Sequence, residues 1–221
     1  MILKSSQSET GTRDIPSAFL IQLAREKVHR KSSSDELAKL SLSEVQIINA
    51  FDGRHRLSLN SELSPFAGTL GCLISHLAIY LHCHRENIPR ALIFEDDVTV
   101  FDTLVAQQSL LDGEFSNADI CCYCSKSSEN RFLNAHAYSM SLTAMGACLT
   151  HLKLIQKSPL NVHIDVLIES VRKKYSLPYR SLRKSTIFQN KHLPYTTRWG
   201  CLLYTSPSPR DATLSRMPSS A

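Results

Sequence analysis

The sequence contains no long hydrophobic run, and this absence excludes several classes of protein. Its 221 residues include no stretch of about 18 apolar residues, so no helix is predicted to span a membrane. Residues 1–16 are polar and contain no apolar segment of the kind found in a secretory signal peptide. The sequence also contains no internal repeat and no heptad pattern, which excludes a coiled coil.

A strong excess of one charge is also lacking. The chain has 25 Lys and Arg against 20 Asp and Glu, which gives a net charge of +5. A nucleic-acid-binding protein is expected to concentrate positive charge on one face, and this mild excess predicts no nucleic-acid partner. Apolar residues make up 43% and charged residues 20% of the chain, which is typical of globular proteins and excludes a wholly disordered chain or a collagen-like fibre.

Residues 201–221 differ in character from the rest of the chain. They resemble an in-frame translation of sequencing-adapter read-through, with a transposon end, an adapter and a flow-cell primer in that order. The alternative is a genuine disordered tail rich in Ser and Pro. In either case these residues are excluded from the fold. We expect a disordered lead-in over residues 1–16, one folded domain over residues 17–200, and a natural C-terminus that is missing.

Six cysteines precede that tail, and their pattern favours reduced thiols over a metal knuckle. With no signal peptide, disulfides are not expected. The run Cys121-Cys122-Tyr123-Cys124 lacks the C-x-x-C spacing of a zinc site. A buried strand over residues 118–124, with Cys acting as a small apolar side chain, is the better interpretation. The six are Cys72, Cys83, Cys121, Cys122, Cys124 and Cys148.

Short apolar runs alternate with stretches of helical periodicity along the chain. This alternation predicts an α/β fold with a mostly parallel central sheet flanked by helices, in a single domain. The predicted strands are residues 18–23, 45–51, 91–94 and 118–124, a strand opening 136–157, and a last strand within 178–189. The predicted helices are residues 25–40, with Ser34 as an N-cap for its later part, 68–86, a weak helix over 104–111, and 164–175.

The helix over residues 68–86 presents an apolar stripe at helical spacing. By rotation along the helix, Ser75 and His76 lie away from that stripe, so we expect them to line a cleft rather than the core. The stripe consists of Leu70, Leu73, Ile74, Leu77, Tyr80 and Leu81.

The most informative residues are three consecutive carboxylates, Glu95-Asp96-Asp97, directly after the apolar strand 91–94. In open α/β sheets, ligands bind outside the carboxyl ends of the strands. Side chains alternate in extended backbone, so Glu95 and Asp97 are expected to share a face and Asp96 to point away. Two carboxylates on one face, with no Cys or His ligand nearby, suit Mg²⁺ or Mn²⁺. The alternative is a solvated acidic turn that caps the next helix.

Two phosphate-linked functions compete for this acidic triplet. A receiver-type signalling domain needs a phosphoacceptor Asp at a later strand end, but Asp119 comes too early and the next candidate is Asp165. Two strands and a helix also precede the triplet, so we reject the receiver domain. A nucleotide-sugar transferase remains, in which a metal ion bridges the acidic motif to a diphosphate.

Four blocks of the sequence resemble glycosyltransferase family 25, the lipooligosaccharide biosynthesis transferases related to procollagen galactosyltransferases. The pair GCLISH and IFEDDV is the most specific part of the resemblance, which spans residues 18–190. The blocks are FLIQLA at 19–24, AFDG at 50–53, GTLGCLISHLAIY at 68–80 and ALIFEDDV at 91–98.

The resemblance implies a GT-A-like fold and a metal-dependent, inverting transfer of a hexose to a hydroxyl. The implied donor is a nucleotide sugar, with a UDP-hexose expected, and the cofactor is Mn²⁺ or Mg²⁺. The implied acceptor is a surface glycan such as lipopolysaccharide or lipooligosaccharide. The enzyme is then expected in the cytoplasm, with peripheral contact at the inner face of the cytoplasmic membrane. The alternative is a non-catalytic nucleotide-sugar-binding module, an inactive truncated member of the family.

The resemblance also assigns roles to individual residues. Asp97 and Glu95 are the expected metal ligands, and Asp165 is the candidate general base, although it can equally cap the following helix. The expected donor-binding residues are Arg25, Arg30, Asp52, Gly71, Ser75, His76, Glu95 and Asp96.

Overall fold

The structure is a computed structural model, and it describes the body of the chain with gaps. The described residues are 17–24, 27–42, 44–53, 66–101, 103, 105–106, 117–123, 131–132, 134–154, 162–182 and 187–189. The lead-in predicted over residues 1–16, the tail over 201–221 and most of the weak helix over 104–111 lie outside them.

Helices and strands alternate between residues 17 and 95, as the sequence predicts, whereas further along the described chain several strands and then two helices follow one another. The strands are β1 (Ser17–Gln22), β2 (Val45–Asn49), β3 (Arg90–Glu95), β4 (Val98–Val100), β5 (Ile120–Cys122), β6 (Ala137–Ser141), β7 (Tyr179–Ser181) and β8 (Ile187–Gln189). The helices are α1 (Lys27–Ala38), α2 (Ala67–Glu86), α3 (Leu142–Leu154) and α4 (Ile164–Lys174).

A six-stranded sheet in the order β2-β1-β3-β6-β5-β7 forms the centre of the fold. Strand β6 pairs antiparallel with both of its neighbours, whereas the pairs β1–β2, β1–β3 and β5–β7 are parallel. A small second sheet pairs β4 antiparallel with β8. The predicted α/β class, with a mostly parallel central sheet flanked by helices, is confirmed. This mostly parallel sheet with flanking helices agrees with the predicted GT-A-like fold.

The core is built around the adjacent parallel strands β1 and β3. Leu92, Ile93 and Phe94 of β3 are fully buried, as is Phe19 of β1. A strand with every side chain buried requires cover on both faces, which is why its sequence is continuously apolar rather than alternating. The burial of each such side chain stabilises the fold by about 1.5–3 kcal/mol.

The cysteine-rich segment is also part of this core. Cys121 and Cys122 lie in β5 with no exposed surface, which confirms the buried-strand interpretation for these two residues. Cys124 lies outside the described residues.

The buried face of α2 differs from the stripe predicted for it. Ile74 and Leu81 are 38% and 54% exposed, whereas Ser75 and His76 are 2% and 0% exposed. The expectation that Ser75 and His76 lie off the core was therefore wrong, because the pattern treated all polar side chains as outward-facing. The inward face runs through Thr69, Leu73, His76, Tyr80 and Cys83.

Two local predictions were also wrong, and one strand was not predicted. Ser34 lies inside α1 and does not cap a helix. The segment predicted to hold one last strand contains two, β7 and β8. Strand β4 was not predicted, since its three residues are too few to show a periodicity.

Among the described residues, no helix is both long enough and apolar enough to cross a membrane.

A carboxylate on α4 ties this helix to the segment before β6. Oε2 of Glu169 accepts hydrogen bonds from the backbone N–H of Phe132 (2.9 Å) and from Nε of Arg172 (2.8 Å). Nη2 of Arg172 and Nζ of Lys173 lie 2.9 Å and 3.2 Å from its Oε1. Burial alone would raise the pKa of Glu169, but these donors outweigh it and lower the pKa from 4.5 to about 2.

We expect Glu169→Gln to lower the free energy of unfolding by about 2 kcal/mol near neutral pH. Because the pKa is lower in the folded state, the carboxylate stabilises the fold fully above pH 4.5, and this contribution is lost as the pH falls toward 2. Chemical denaturation across that range measures the effect. Glu86→Gln, at an exposed glutamate of α2, is the matched control and should change little. A deficit of Glu169→Gln that does not shrink toward low pH would contradict the assignment.

Candidate functional site

The acidic triplet lies where β3 ends, at the centre of the sheet. Glu95 is the last residue of β3, and Asp96 and Asp97 form the turn into β4. The backbone N–H of Glu95 donates to the carbonyl oxygen of His136 (2.9 Å), which continues the antiparallel register of β3 and β6. Strand pairing therefore places His136 beside the triplet.

One cluster of side chains results from this pairing, the Glu95–Asp97–His136 cluster. One carboxylate oxygen each from Glu95 and Asp97 and one ring nitrogen of His136 lie within 4.8 Å of one another. Asp97 and His136 are buried, and Glu95 is partly exposed. The prediction that Glu95 and Asp97 share a face is confirmed, although Asp97 lies in a turn rather than in extended backbone.

Asp96 points to a different part of the structure. Its side chain is 5% exposed, and its Oδ2 accepts a hydrogen bond from the backbone N–H of Leu23 (3.3 Å). Leu23 directly follows β1, so Asp96 ties the end of β1 to the turn that carries Asp97. The separation of Asp96 from the face of Glu95 and Asp97 agrees with the alternation expected from the sequence.

A second group of polar side chains surrounds Glu95 from the side of α2. Nε2 of His76 lies 3.2 Å from Oε1 of Glu95, and the thiol of Cys72 donates to the same oxygen (3.6 Å). Nδ1 of His76 lies 2.7 Å from Oη of Tyr138, which lies 2.7 Å from Oη of Tyr80. Burial alone lowers the pKa of His76, but the hydrogen bonds with Cys72 and Glu95 and the negative charge beside the ring outweigh burial and raise it to about 9.

These contacts correct one statement of the sequence analysis. The prediction that no Cys or His ligand lies near the triplet is wrong, because Cys72, His76 and His136 all lie beside Glu95. The i, i+4 spacing of Cys72 and His76 indicated that they share a helix face. Nothing in the local sequence indicated that α2 presents that face to β3, or that β6 pairs with β3.

A sequence model of glycosyltransferase family 25 (LPS biosynthesis protein) matches residues 15–135, more than half of the chain. This protein belongs to glycosyltransferase family 25. The matched region includes α2, β3 and the acidic triplet, which are the parts of the chain that carry the resemblance described above. No curated protein sequence matches this family 25 protein.

Two solved structures similar to it are glycosyltransferases. GlyE from Streptococcus pneumoniae TIGR4 is 12% identical, with a TM-score of 0.47, and the alignment covers 92% of this chain and 60% of that chain. A glycosyltransferase involved in the glycosylation of the major capsid of PBCV-1 is 10% identical, with a TM-score of 0.47, and the alignment covers 90% and 100%. The family 25 protein therefore spans less than two thirds of the length of GlyE.

Gly71 and Ser75 of α2 hold the turn that follows β2. Oγ of Ser75 accepts a hydrogen bond from the backbone N–H of Phe51 (2.8 Å) and donates to the carbonyl oxygen of Gly71 (2.7 Å). A Cβ added at Gly71 would lie 2.6 Å from the carbonyl oxygen of Phe51 and 2.9 Å from the backbone nitrogen of Gly53. The absence of a side chain at Gly71 is what lets this turn, which carries the half-buried Asp52, approach the helix.

The remaining predicted site residues belong to neither of these two clusters or are outside the described part of the chain. Asp165 lies in the first turn of α4, where its Oδ1 accepts from the backbone N–H of Val166 (2.9 Å). It belongs to neither of the groups around Glu95. Arg30 lies in α1, but its side chain is outside the description, as is the whole of Arg25.

The chemistry of the Glu95–Asp97–His136 cluster fits a divalent cation. Two carboxylates held this close repel one another, and a cation between them relieves that repulsion. Carboxylates suit Mg²⁺ and Mn²⁺, while an imidazole ligand is more typical of transition metals. This donor set therefore favours Mn²⁺ over Mg²⁺.

The close approach at Gly71 predicts that Gly71→Ala destabilises the protein by about 2–4 kcal/mol, since the new methyl group meets backbone atoms that cannot move independently. Gly146→Ala is the matched control. There the added Cβ meets only the side chain of His84, which is exposed and free to rotate. That variant should be neutral or gain up to about 1 kcal/mol from the helix propensity of Ala. Chemical denaturation of both variants measures the difference, and equal stabilities would contradict the packing described here.

Proposed function

We propose that this protein transfers a hexose from a nucleotide sugar, with a UDP-hexose as the expected donor, to a hydroxyl of a surface glycan such as lipopolysaccharide. The observation that carries the proposal is the Glu95–Asp97–His136 cluster at the carboxyl end of β3, in a chain of glycosyltransferase family 25. Ligands of open α/β sheets bind at this edge.

Within this proposal, Asp97 and Glu95 hold Mn²⁺ or Mg²⁺, with His136 as a further ligand. The cation, when bound, neutralises charge that develops on the nucleoside diphosphate leaving group. His76 orients the carboxylate of Glu95 through its contact with Oε1. Asp96 holds the end of β1 against the same turn, so the position of Asp97 depends on both strands.

The turn after β2 and the start of the chain supply the rest of the donor site. Asp52 lies on a turn fixed by Gly71 and Ser75, so these two residues act on the donor by positioning that turn. Arg25 and Arg30 are proposed to contact the diphosphate, which a planar guanidinium binds with paired hydrogen bonds.

Inverting transfer needs a base that takes the proton from the attacking hydroxyl of the acceptor. Asp165 is proposed for this role, with the acceptor bound near the first turn of α4. The net charge of +5 favours peripheral contact with an anionic membrane surface, which is where a glycan acceptor of this class is assembled. We therefore place the enzyme at the inner face of the cytoplasmic membrane.

The metal site predicts that Asp97→Asn weakens Mn²⁺ binding at least tenfold, because a charged ligand becomes a neutral one; tenfold corresponds to about 1.4 kcal/mol. His136→Gln should weaken it as well. Electron paramagnetic resonance of free Mn²⁺ measures the affinity, and release of nucleoside diphosphate from UDP-sugars measures turnover. Asp35→Asn, at an exposed aspartate of α1, should leave both unchanged.

The variant Asp165→Asn distinguishes the role of a general base from that of a metal ligand. It should keep the Mn²⁺ affinity of the wild-type protein and lose transfer, since its carboxylate is proposed as a base and not as a ligand. Unchanged Mn²⁺ affinity in Asp97→Asn would contradict the metal site. Donor binding by the wild-type protein without diphosphate release, across a panel of donors and acceptors, would favour the non-catalytic binding module instead.

A further inference from the structure

The cluster on the α2 side of Glu95 contains three different metal-ligating groups. Cys72 and His76 are four residues apart on α2 and therefore project from one face of the helix. Sγ of Cys72, a ring nitrogen of His76 and a carboxylate oxygen of Glu95 lie within 4.8 Å of one another. We propose that this Cys72–His76–Glu95 cluster binds a thiophilic divalent cation, with Zn²⁺ as the best match.

The spacing of the ligand atoms supports this proposal. With tetrahedral geometry and ordinary zinc bond lengths, sulfur and oxygen ligands lie about 3.6 Å apart, and nitrogen and oxygen ligands about 3.4 Å apart. The observed separations are 3.6 Å from Sγ of Cys72 to Oε1 of Glu95 and 3.2 Å from Nε2 of His76 to the same oxygen. Two of the three separations therefore match those around a bound cation, and the third, between Sγ of Cys72 and the imidazole, is no more than 4.8 Å. Water completes the fourth position.

The surroundings of His76 favour coordination through Nε2. Nδ1 is hydrogen-bonded to Oη of Tyr138, and Tyr138 in turn is hydrogen-bonded to Tyr80, so two buried phenols hold the side of the ring opposite Nε2. A hydrogen bond on the opposite nitrogen fixes the tautomer and ring orientation of metal-binding histidines. His76 is fully buried and stacks against Tyr138 with ring centroids 5.7 Å apart, which leaves the imidazole no room to turn away.

Cys72 differs from several other thiols in the described chain. It is partly exposed, whereas Cys83, Cys121 and Cys148 are buried. Burial raises the pKa of Cys83 and Cys121 to about 11 and that of Cys148 to about 12, so these thiols resist the deprotonation that coordination requires. Cys72 is therefore a thiol that a cation can both reach from solvent and bind.

Cobalt is the probe for this site, because tetrahedral Co²⁺ bound to a thiolate gives a near-ultraviolet charge-transfer band. We expect the reduced wild-type protein to show this band and Zn²⁺ to abolish it by displacement. Cys72→Ser should lose the band, whereas Cys83→Ser, a buried thiol on the same helix, should keep it. Far-ultraviolet circular dichroism checks that both variants fold. No band in the wild-type protein, or a band that persists in Cys72→Ser, would overturn the site.

A second consequence follows if the proposed function is also correct, since Glu95 belongs to both clusters. The thiolate selects Zn²⁺, while the Glu95–Asp97–His136 cluster suits Mn²⁺. Zinc at Cys72 and His76 draws the carboxylate of Glu95 away from the other cluster, so we expect Zn²⁺ to weaken Mn²⁺ binding at least tenfold in the wild-type protein. In Cys72→Ser, the same Zn²⁺ concentration should change Mn²⁺ affinity much less.

Electron paramagnetic resonance of Mn²⁺ during a Zn²⁺ titration measures this coupling. If Mn²⁺ does not bind the wild-type protein in the absence of zinc, the metal site of the proposed function fails, and the cobalt result still decides the zinc site. If Mn²⁺ binds and zinc displaces it equally from wild type and Cys72→Ser, the coupling through Glu95 is wrong.

Discussion

The structure depends on how the carboxylate of Glu95 is accommodated at the end of a strand whose four middle residues are buried. A charge at this position is costly unless it is paired, and removal of one partner from a buried pair costs about 3–5 kcal/mol. The fold supplies a helix, α2, whose His76 reaches Oε1, and an antiparallel strand, β6, whose first residues meet the end of β3. These contacts explain why His76, a polar side chain, lies on the buried face of α2.

Helix α2 combines this role with that of a support for the turn after β2. Gly71 admits the backbone of the turn, Ser75 bonds to it, and the next residue, His76, contacts Glu95. Residues on a single helix therefore contact both the turn after β2 and the carboxylate at the end of β3. A helix with this role cannot be replaced by one that matches only its apolar pattern, because the contacts it makes are directional and specific to Gly, Ser and His.

The sequence predicts the class of fold and the strand that carries the site, because both depend on local patterns. The apolar run at residues 91–94, followed by three carboxylates, needs no partner to be recognised. The sequence does not predict which residues Glu95 contacts. His136 comes beside Glu95 through a strand pairing between segments far apart in sequence, and strand register of this kind has no local signature. The face of α2 was misjudged for a related reason: a hydrophobic stripe identifies the core side only when polar residues point outward, and His76 does not.

The two clusters around Glu95 draw on different elements, and this difference separates their chemistry. Asp97 and His136 come from the turn after β3 and the residue before β6, whereas Cys72 and His76 come from α2. The first pair offers a carboxylate and an imidazole, and the second offers a thiol and an imidazole, so the two clusters differ in the hardness of the cation that they suit. Since β3 is fixed by neighbours on both edges, the backbone of Glu95 cannot follow its side chain toward either cluster. The side chain of Glu95 is then the link between the two clusters, because it contributes a carboxylate oxygen to each of them.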